Sequence, residues 1–483
     1  MRCAPVLVLV TSILILWGCA DKNERSVEWS FQTWGELLSH PVIHDNTLYF
    51  GSNDSAFYAI DTRTQKTRWV YKSGSPIKCQ AIIENQIVYF FNAQTVHALD
   101  AQTGNEIWRF DYSPESTGES LDPWDYHYGT PVIVGERIYC GLADGNLYGL
   151  DLGSGEKVDQ FAVIDSAAIR CSPASRGKYL YFGDWNGIVY AYDTELRDTL
   201  WTYATYTERL YETFGQLNTT FTVYDDLLLF GGRNPQLQIL DIKTGIPVWD
   251  YTSDDGGWIS GDPLVLNDTL YIGGSDNHKL FAFDVRNGTP LWEFEFLYNN
   301  FCQPVFADDQ ILFTTGDANN VYRGDDGRGY LYGVSRSSGE LRNFTLFDAN
   351  VFSTPVLDER SIYVASVDSS IYALDKLEFL RQGHDLADRG YYAVELLETS
   401  IPSFRDSVSV NYRVNFQTHL EITMYDLAGT PLMHWPGRTF SLGDQILNWD
   451  GADERGNPVD PGYYYFEFKA QQFYQSVYVQ KLE

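Results

Sequence analysis

The feature that most constrains this chain is a short frame that keeps returning. Its fullest copy is Ala98-Leu99-Asp100-Ala101-Gln102-Thr103-Gly104-Asn105-Glu106-Ile107-Trp108, and a second runs Leu240-Asp241-Ile242-Lys243-Thr244-Gly245-Ile246-Pro247-Val248-Trp249. Shorter copies run from Asp61 to Trp69, Asp193 to Trp201 and Asp284 to Trp292, and two more keep the frame without its Trp, reaching Val158 and Arg342. Upstream of each lies an alternating apolar strand such as Tyr139-Cys140-Gly141, and upstream again an inner strand of the kind seen at Gly129 to Val132. Each unit therefore reads as four short strands, repeating at roughly forty to fifty residues, the pitch of a propeller blade. Asp and Thr-Gly form the tight connection between the third and fourth strands, Gly supplying a positive φ. The Trp fills the wedge between neighbouring blades.

Second strands fall at Tyr49, Tyr89, Tyr139, Tyr181, Leu229, Tyr271, Leu312 and Tyr363, which predicts an eight-bladed β-propeller. The last copy, Tyr372-Ala373-Leu374-Asp375, is not followed by a Trp strand, while a spare Trp29-Ser30-Phe31 stands at the other end. The N-terminal segment is thus expected to supply the outer strand of the eighth blade and close the ring. An aromatic content of 16%, with 34 Tyr and 13 Trp, suits half-buried strands and an all-β fold.

The Ala-x-Asp-x-x-Thr-Gly-x-x-x-Trp frame resembles the pyrroloquinoline-quinone-like repeat family over residues 27 to 384. One branch of that family holds quinoprotein dehydrogenases. Another holds non-catalytic lipoproteins, including the propeller subunit of the outer-membrane β-barrel assembly machine. Many of the dehydrogenases carry adjacent cysteines beside the cofactor, and this sequence has no Cys-Cys pair. The resemblance therefore implies a protein-binding scaffold of the cell envelope, without catalytic residues or cofactor. A dehydrogenase using the quinone and calcium, and a carbohydrate-binding propeller stacking sugars on Trp and Tyr, are the alternatives.

The first residues point to export. Arg2 precedes an apolar run from Ala4 to Trp17, followed by Gly18-Cys19 and polar residues from Asp21 to Arg25. That run is short for a membrane span and reads as a secretory signal. Leu16-Trp17-Gly18-Cys19 resembles a lipobox, with Trp17 where a small residue is usual. The expectation is a signal over 1–18, lipidation at Cys19, a tether over 19–26, and attachment to a bacterial envelope membrane. A formal charge of −31 repels phosphate backbones and argues against nucleic acid. Cys79, Cys171 and Cys302 share one repeat position with Ser39, Gly129, Gly261 and Ser353, so a small filler on a crowded strand is expected there.

After Gly383 the pattern changes. Strands at Val408 to Val414, Leu420 to Leu427 and Tyr463 to Phe468 are punctuated by Trp449-Asp450-Gly451, Gly456-Asn457-Pro458 and Pro461-Gly462-Tyr463. Residues 385–483 resemble the immunoglobulin-like module of flagellar hook-capping proteins, and also the sorting modules of type nine secretion. A β-sandwich follows from that resemblance.

The histidines show no metal-ligand spacing, and Gly324-Asp325-Asp326-Gly327-Arg328-Gly329 lacks the order of a calcium loop. The long insertions all lie between blades or between second and third strands, which emerge on one face of a propeller. Trp124, Tyr126, Tyr128 and Trp258 are accordingly the candidate partner-binding residues.

Overall fold

A computed structural model describes residues 27–112, 128–205, 216–254, 256–318, 327–381, 394–396, 403–414, 418–427, 429–440, 443–470 and 473–482. The expected signal, tether and Cys19 lie outside these residues, as do Trp124, Tyr126 and the first half of the Gly324–Gly329 stretch. Among the described residues there are eight four-stranded antiparallel sheets, followed by a three-stranded and a five-stranded sheet.

The first sheet, Val42–His44, Thr47–Gly51, Ala56–Asp61 and Lys66–Lys72, sets the pattern. Its inner strand is short, its middle strands are buried on both faces, and its outer strand alternates between core and solvent. Seven sheets take their strands consecutively from the chain; in the eighth, Val27–Gln32 adds antiparallel to Ser370–Asp375, with Trp29 opposite Ala373. Apolar clusters link each sheet to the next, and a last one joins Tyr363, Ile371 and Ala373 to Leu48, Phe50 and Tyr58 of the first sheet. Consecutive sheets packing face to face back to the start is propeller architecture.

The repeated frame explains how neighbours lock. Asp100 Oδ1 accepts from the backbone N–H groups of Gln102 and Thr103 and from the Thr103 hydroxyl, folding the turn. These donors hold the Asp100 carboxyl below its usual range, the Thr103 hydroxyl first among them. Trp69 of the preceding sheet donates from Nε1 to Ala101 O at 3.0 Å and lies against Gly104, whose φ is +71°. Trp108, Trp201, Trp249 and Trp292 repeat the bond to Leu152, Ile242, Val285 and Arg336. Each Trp also covers a glycine of the receiving turn, so the wedge always points from one sheet to the next.

Two seams lack the Trp altogether, and at a third Trp29 faces a turn with Gln65, φ +58°, in the glycine position. The ladder registers place Asp159 and Asn343 where the other sheets carry Trp, one residue beyond the Val158 and Arg342 read from the sequence. Asp159 is buried and accepts from the hydroxyls of Tyr139 and Tyr192, while Arg137 Nη1 donates to Thr194 O in place of an indole. The receiving turn has answered in kind: its glycine position is Arg197, at φ +56°, with Nε 3.9 Å from Asp159. At the second seam, Asn343 Nδ2 donates to Phe379 O of the helix Lys376–Arg381, which replaces the turn.

In the tail, Val408–Val414 and Gly443–Trp449 of the smaller sheet share one core with Thr418–Asp426, Gly462–Ala470 and Phe473–Lys481 of the larger. Val410, Tyr412 and Trp449 meet Ile422, Met424 and Phe466 in that core. Leu341 and Phe344, on the outer strand of the seventh sheet, pack against it. That strand is accordingly more buried than its counterparts, which places the tail beside the seventh sheet.

Candidate functional site

Both classes of long connection share a face. Inter-sheet segments hydrogen-bond to the turns between second and third strands, as in Asn53 N to Glu36 O, Trp185 N to Ala168 O and Ser275 N to Trp258 O. The structure separates the aromatic residues singled out there. Trp258 is half-buried, whereas Tyr128 is a buried ring beneath Arg170, whose guanidinium carbon stands 4.2 Å from its centroid. Tyr128 therefore closes the inner end of its connection and does not project as a contact residue.

The residue that does project is Trp34, 90% exposed, and the sequence reading passed over it. Its backbone is fixed: Trp34 N donates to Asp54 Oδ2, Thr33 N to Ser369 O, and a Cβ on Gly35 would stand 2.4 Å from Asp54 N. A large apolar side chain on a pinned backbone binds at small entropic cost. The Trp34-Gly35 pair directly after the closing strand was the available signal.

Where the sheets meet, a cavity of about 200 Å3 is lined by one or more residues from every sheet, and so marks the axis. One equivalent residue per sheet faces it, and these residues hold one another around the ring. Thr354 N donates to His40 Nδ1 at 2.7 Å, Thr130 N to Ser172 Oγ at 2.9 Å, and Gln303 N to Thr354 Oγ1 at 3.1 Å. The Thr220 N–H and hydroxyl donate to the two oxygens of Asp262. Depth in the channel raises the Asp262 carboxyl to about 6, against these bonds, although solvent still reaches part of the residue.

Just behind this belt, Ser39 Oγ, Cys79 Sγ, Cys171 Sγ, Thr219 Oγ1, Cys302 Sγ and Ser353 Oγ each donate to a carbonyl of their own second strand. The small-residue slot is thus more than filler: a hydroxyl or thiol satisfies a backbone group there. The four described cysteines are free and buried, and burial pushes the Cys79 thiol up to about 12, far from a reactive thiolate. Among the described residues no group of His, Cys, Asp or Glu is arranged to hold a metal ion.

A family model described as outer membrane protein assembly factor BamB matches residues 16–172 and 185–300, more than half of the chain. The chain belongs to that family. The BamB of Shewanella oneidensis is 24% identical over 52% of this chain and 62% of its own length, and that of Yersinia pestis 24% over 51% and 61%. The chain thus spans about three fifths of the curated relatives it matches. A quinoprotein alcohol dehydrogenase of Pseudomonas putida is 26% identical over 28% of this chain and 24% of its own length. Among solved structures, BamB from Moraxella catarrhalis aligns over 72% of this chain and 99% of its own at 18% identity and a TM-score of 0.56. A europium-containing methanol dehydrogenase aligns over 70% and 84% at 14% identity and a TM-score of 0.58. These structural likenesses speak for the propeller fold common to both branches.

Proposed function

We propose that this protein is a non-catalytic scaffold of the bacterial envelope, acting in outer-membrane protein assembly or envelope organisation, and that the loop face receives a protein partner. In this reading the eight sheets are the blades of one closed ring, and residues 385–483 form an immunoglobulin-like sandwich. Cys19 is the lipid attachment that keeps the ring at the membrane. The observation that carries the reading is the axial belt. Its recurrent use is to join sheets, as Thr354 N does to His40 and Thr130 N to Ser172.

The quinone alternative fits this axis poorly. An engineered cavity of about 150 Å3 accommodates benzene, so about 200 Å3 suits one ring and not a tricyclic cofactor. Asp262 is the one carboxylate lining the cavity among the described residues. We therefore derive no step through a quinone or its calcium.

On the loop face the contact residues in this reading are Trp34 and Trp258; Trp124 and Tyr126, which lie outside the described residues, stay candidates from the sequence, and Tyr128 is buried. Interface energy concentrates in a few Trp, Tyr and Arg side chains, each worth about 2 kcal/mol or more. The test is recovery of barrel-assembly proteins from solubilised envelope by wild type, Trp34→Ala and Trp258→Ala. Loss in both variants with unchanged melting supports the reading; full recovery by both overturns the choice of face. Labelled palmitate should enter wild type and not Cys19→Ala, and equal labelling would remove the anchor.

A further inference from the structure

The axis carries a carboxylate that ring closure does not require. At the equivalent positions of other sheets stand Ser172 and Thr354, neutral side chains that accept the same kind of hydrogen bond from Thr130 N and Gln303 N. Asp262 accepts one bond on each oxygen, both from Thr220, which leaves further lone pairs on a carboxylate that lines the cavity. Beside it, Ser260 Oγ and Asn218 Oδ1 are buried and make no hydrogen bond within the protein. Ser260 is only 3% exposed, and both residues line the same cavity as Asp262. None of the described lining residues is Lys or Arg.

An uncompensated carboxylate, an amide oxygen and a hydroxyl converging on one cavity wall call for a ligand rich in N–H donors and positively charged. We propose that this wall of the axial channel binds an organic cation, an ammonium or guanidinium group, supplied by a small free amine or by one basic side chain of a bound protein. Asp262 supplies the counter-charge, and Asn218 and Ser260 take the remaining N–H groups. A planar guanidinium offers five donors in a fork, enough for all three partners. About 200 Å3 accommodates one such side chain. Calcium fits less well, since it takes six to eight oxygens and this wall offers three residues. Lys78 and Arg170 stand over the Tyr128 ring and outside the cavity lining, and the chain's formal charge of −31 draws cations toward it. Neither Trp34 nor Trp258 lines the cavity, so the cation site and the loop-face reading are tested by different variants.

The test is calorimetric titration of the full chain with agmatine, with N-acetyl-arginine methylamide, with its neutral citrulline counterpart, and with calcium chloride. Both arginine-like probes should bind once per chain and the citrulline probe should not. Asp262→Asn should weaken binding by about tenfold to a hundredfold, as loss of a charge-assisted bond does, and Ser260→Ala by a smaller factor. Binding of agmatine alone assigns the site to free amines, and binding of the peptide-linked probe alone to a partner's side chain. Absence of binding by wild type, equal binding of the citrulline probe, equal binding by Asp262→Asn, or uptake of calcium in place of the cations would each overturn the proposal.

Discussion

Trp69 and Gly104 are in such close contact that a Cβ on the glycine would lie 2.5 Å from the indole. The glycine is held there by two separate demands, a positive φ and the absence of a side chain. Gly135 has the first demand alone: its φ is +61° with nothing within 4 Å of a Cβ. Gly104→Ala and Gly135→Ala should therefore share the backbone cost of about 1–2 kcal/mol, and Gly104→Ala should add about 1–3 kcal/mol of overpacking. Equal melting temperatures for the two variants would show that the indole yields freely.

Asp159 replaces a wedge with a polar cluster, so its removal strands two buried phenols. Asp159→Ala should cost about 2–4 kcal/mol by leaving the Tyr139 and Tyr192 hydroxyls unpaired. Asp159→Asn keeps an acceptor and should cost less. Denaturant melts of both variants check the order.

Trp29 occupies the wedge position of the eighth sheet, yet the turn it faces carries Gln65 at φ +58° in the glycine position. It is half-buried where Trp69 is buried. Trp69→Ala should approach the usual core loss of about 3–5 kcal/mol, and Trp29→Ala should cost about 1–3 kcal/mol for its smaller burial. A larger loss at Trp29 would mean that ring closure depends on this one side chain.

Asp262 couples stability to pH. In the folded chain it keeps its proton up to about 6, while the unfolded chain releases it near the ordinary value of 3.8. Between those values folding takes up a proton, so this contribution to stability is full below the lower value and is lost as pH rises through 6. Asp262→Asn should raise stability by about 1–3 kcal/mol above that window and leave it unchanged below. Melting curves at pH 3 and pH 7.5 decide it; a variant less stable at both would show that the carboxylate holds neighbouring sheets together.

What the sequence made legible follows from which contacts are local. Asp100, Thr103 and Gly104 fold one turn through bonds within a few residues, so their order repeats visibly, and the Trp that reads the turn is conspicuous at each recurrence. The eight-residue step from Asp100 to Trp108 leads likewise from Asp151 to Asp159 and from Ser335 to Asn343, so the sequence shows that the Trp is replaced there, while the long-range partners that take over its role, Tyr139, Tyr192 and Phe379 O, appear only in the structure. The axial site was invisible for a different reason. Asn218 comes from one sheet and Ser260 and Asp262 from the next, and the equivalent positions of the other sheets carry His, Gln, Thr and Ser, so position repeats while chemistry does not. Trp34 and Tyr128 are both aromatic residues in connections, and only the structure distinguishes the one that projects from the one beneath Arg170.

The directional wedge has a mechanical consequence. Indoles couple the first sheet to the second and the second to the third, then run unbroken from the fourth sheet to the seventh. Between these runs stand the Asp159 cluster, the Asn343 contact to the helix, and Trp29 facing a turn without glycine. In the proposed ring the indoles thus make two runs, sheets one to three and four to seven, with the eighth sheet between seams that lack the full wedge. Amide exchange should show each run opening as a cooperative unit, with the earliest exchange beside Asp159, Asn343 and Trp29.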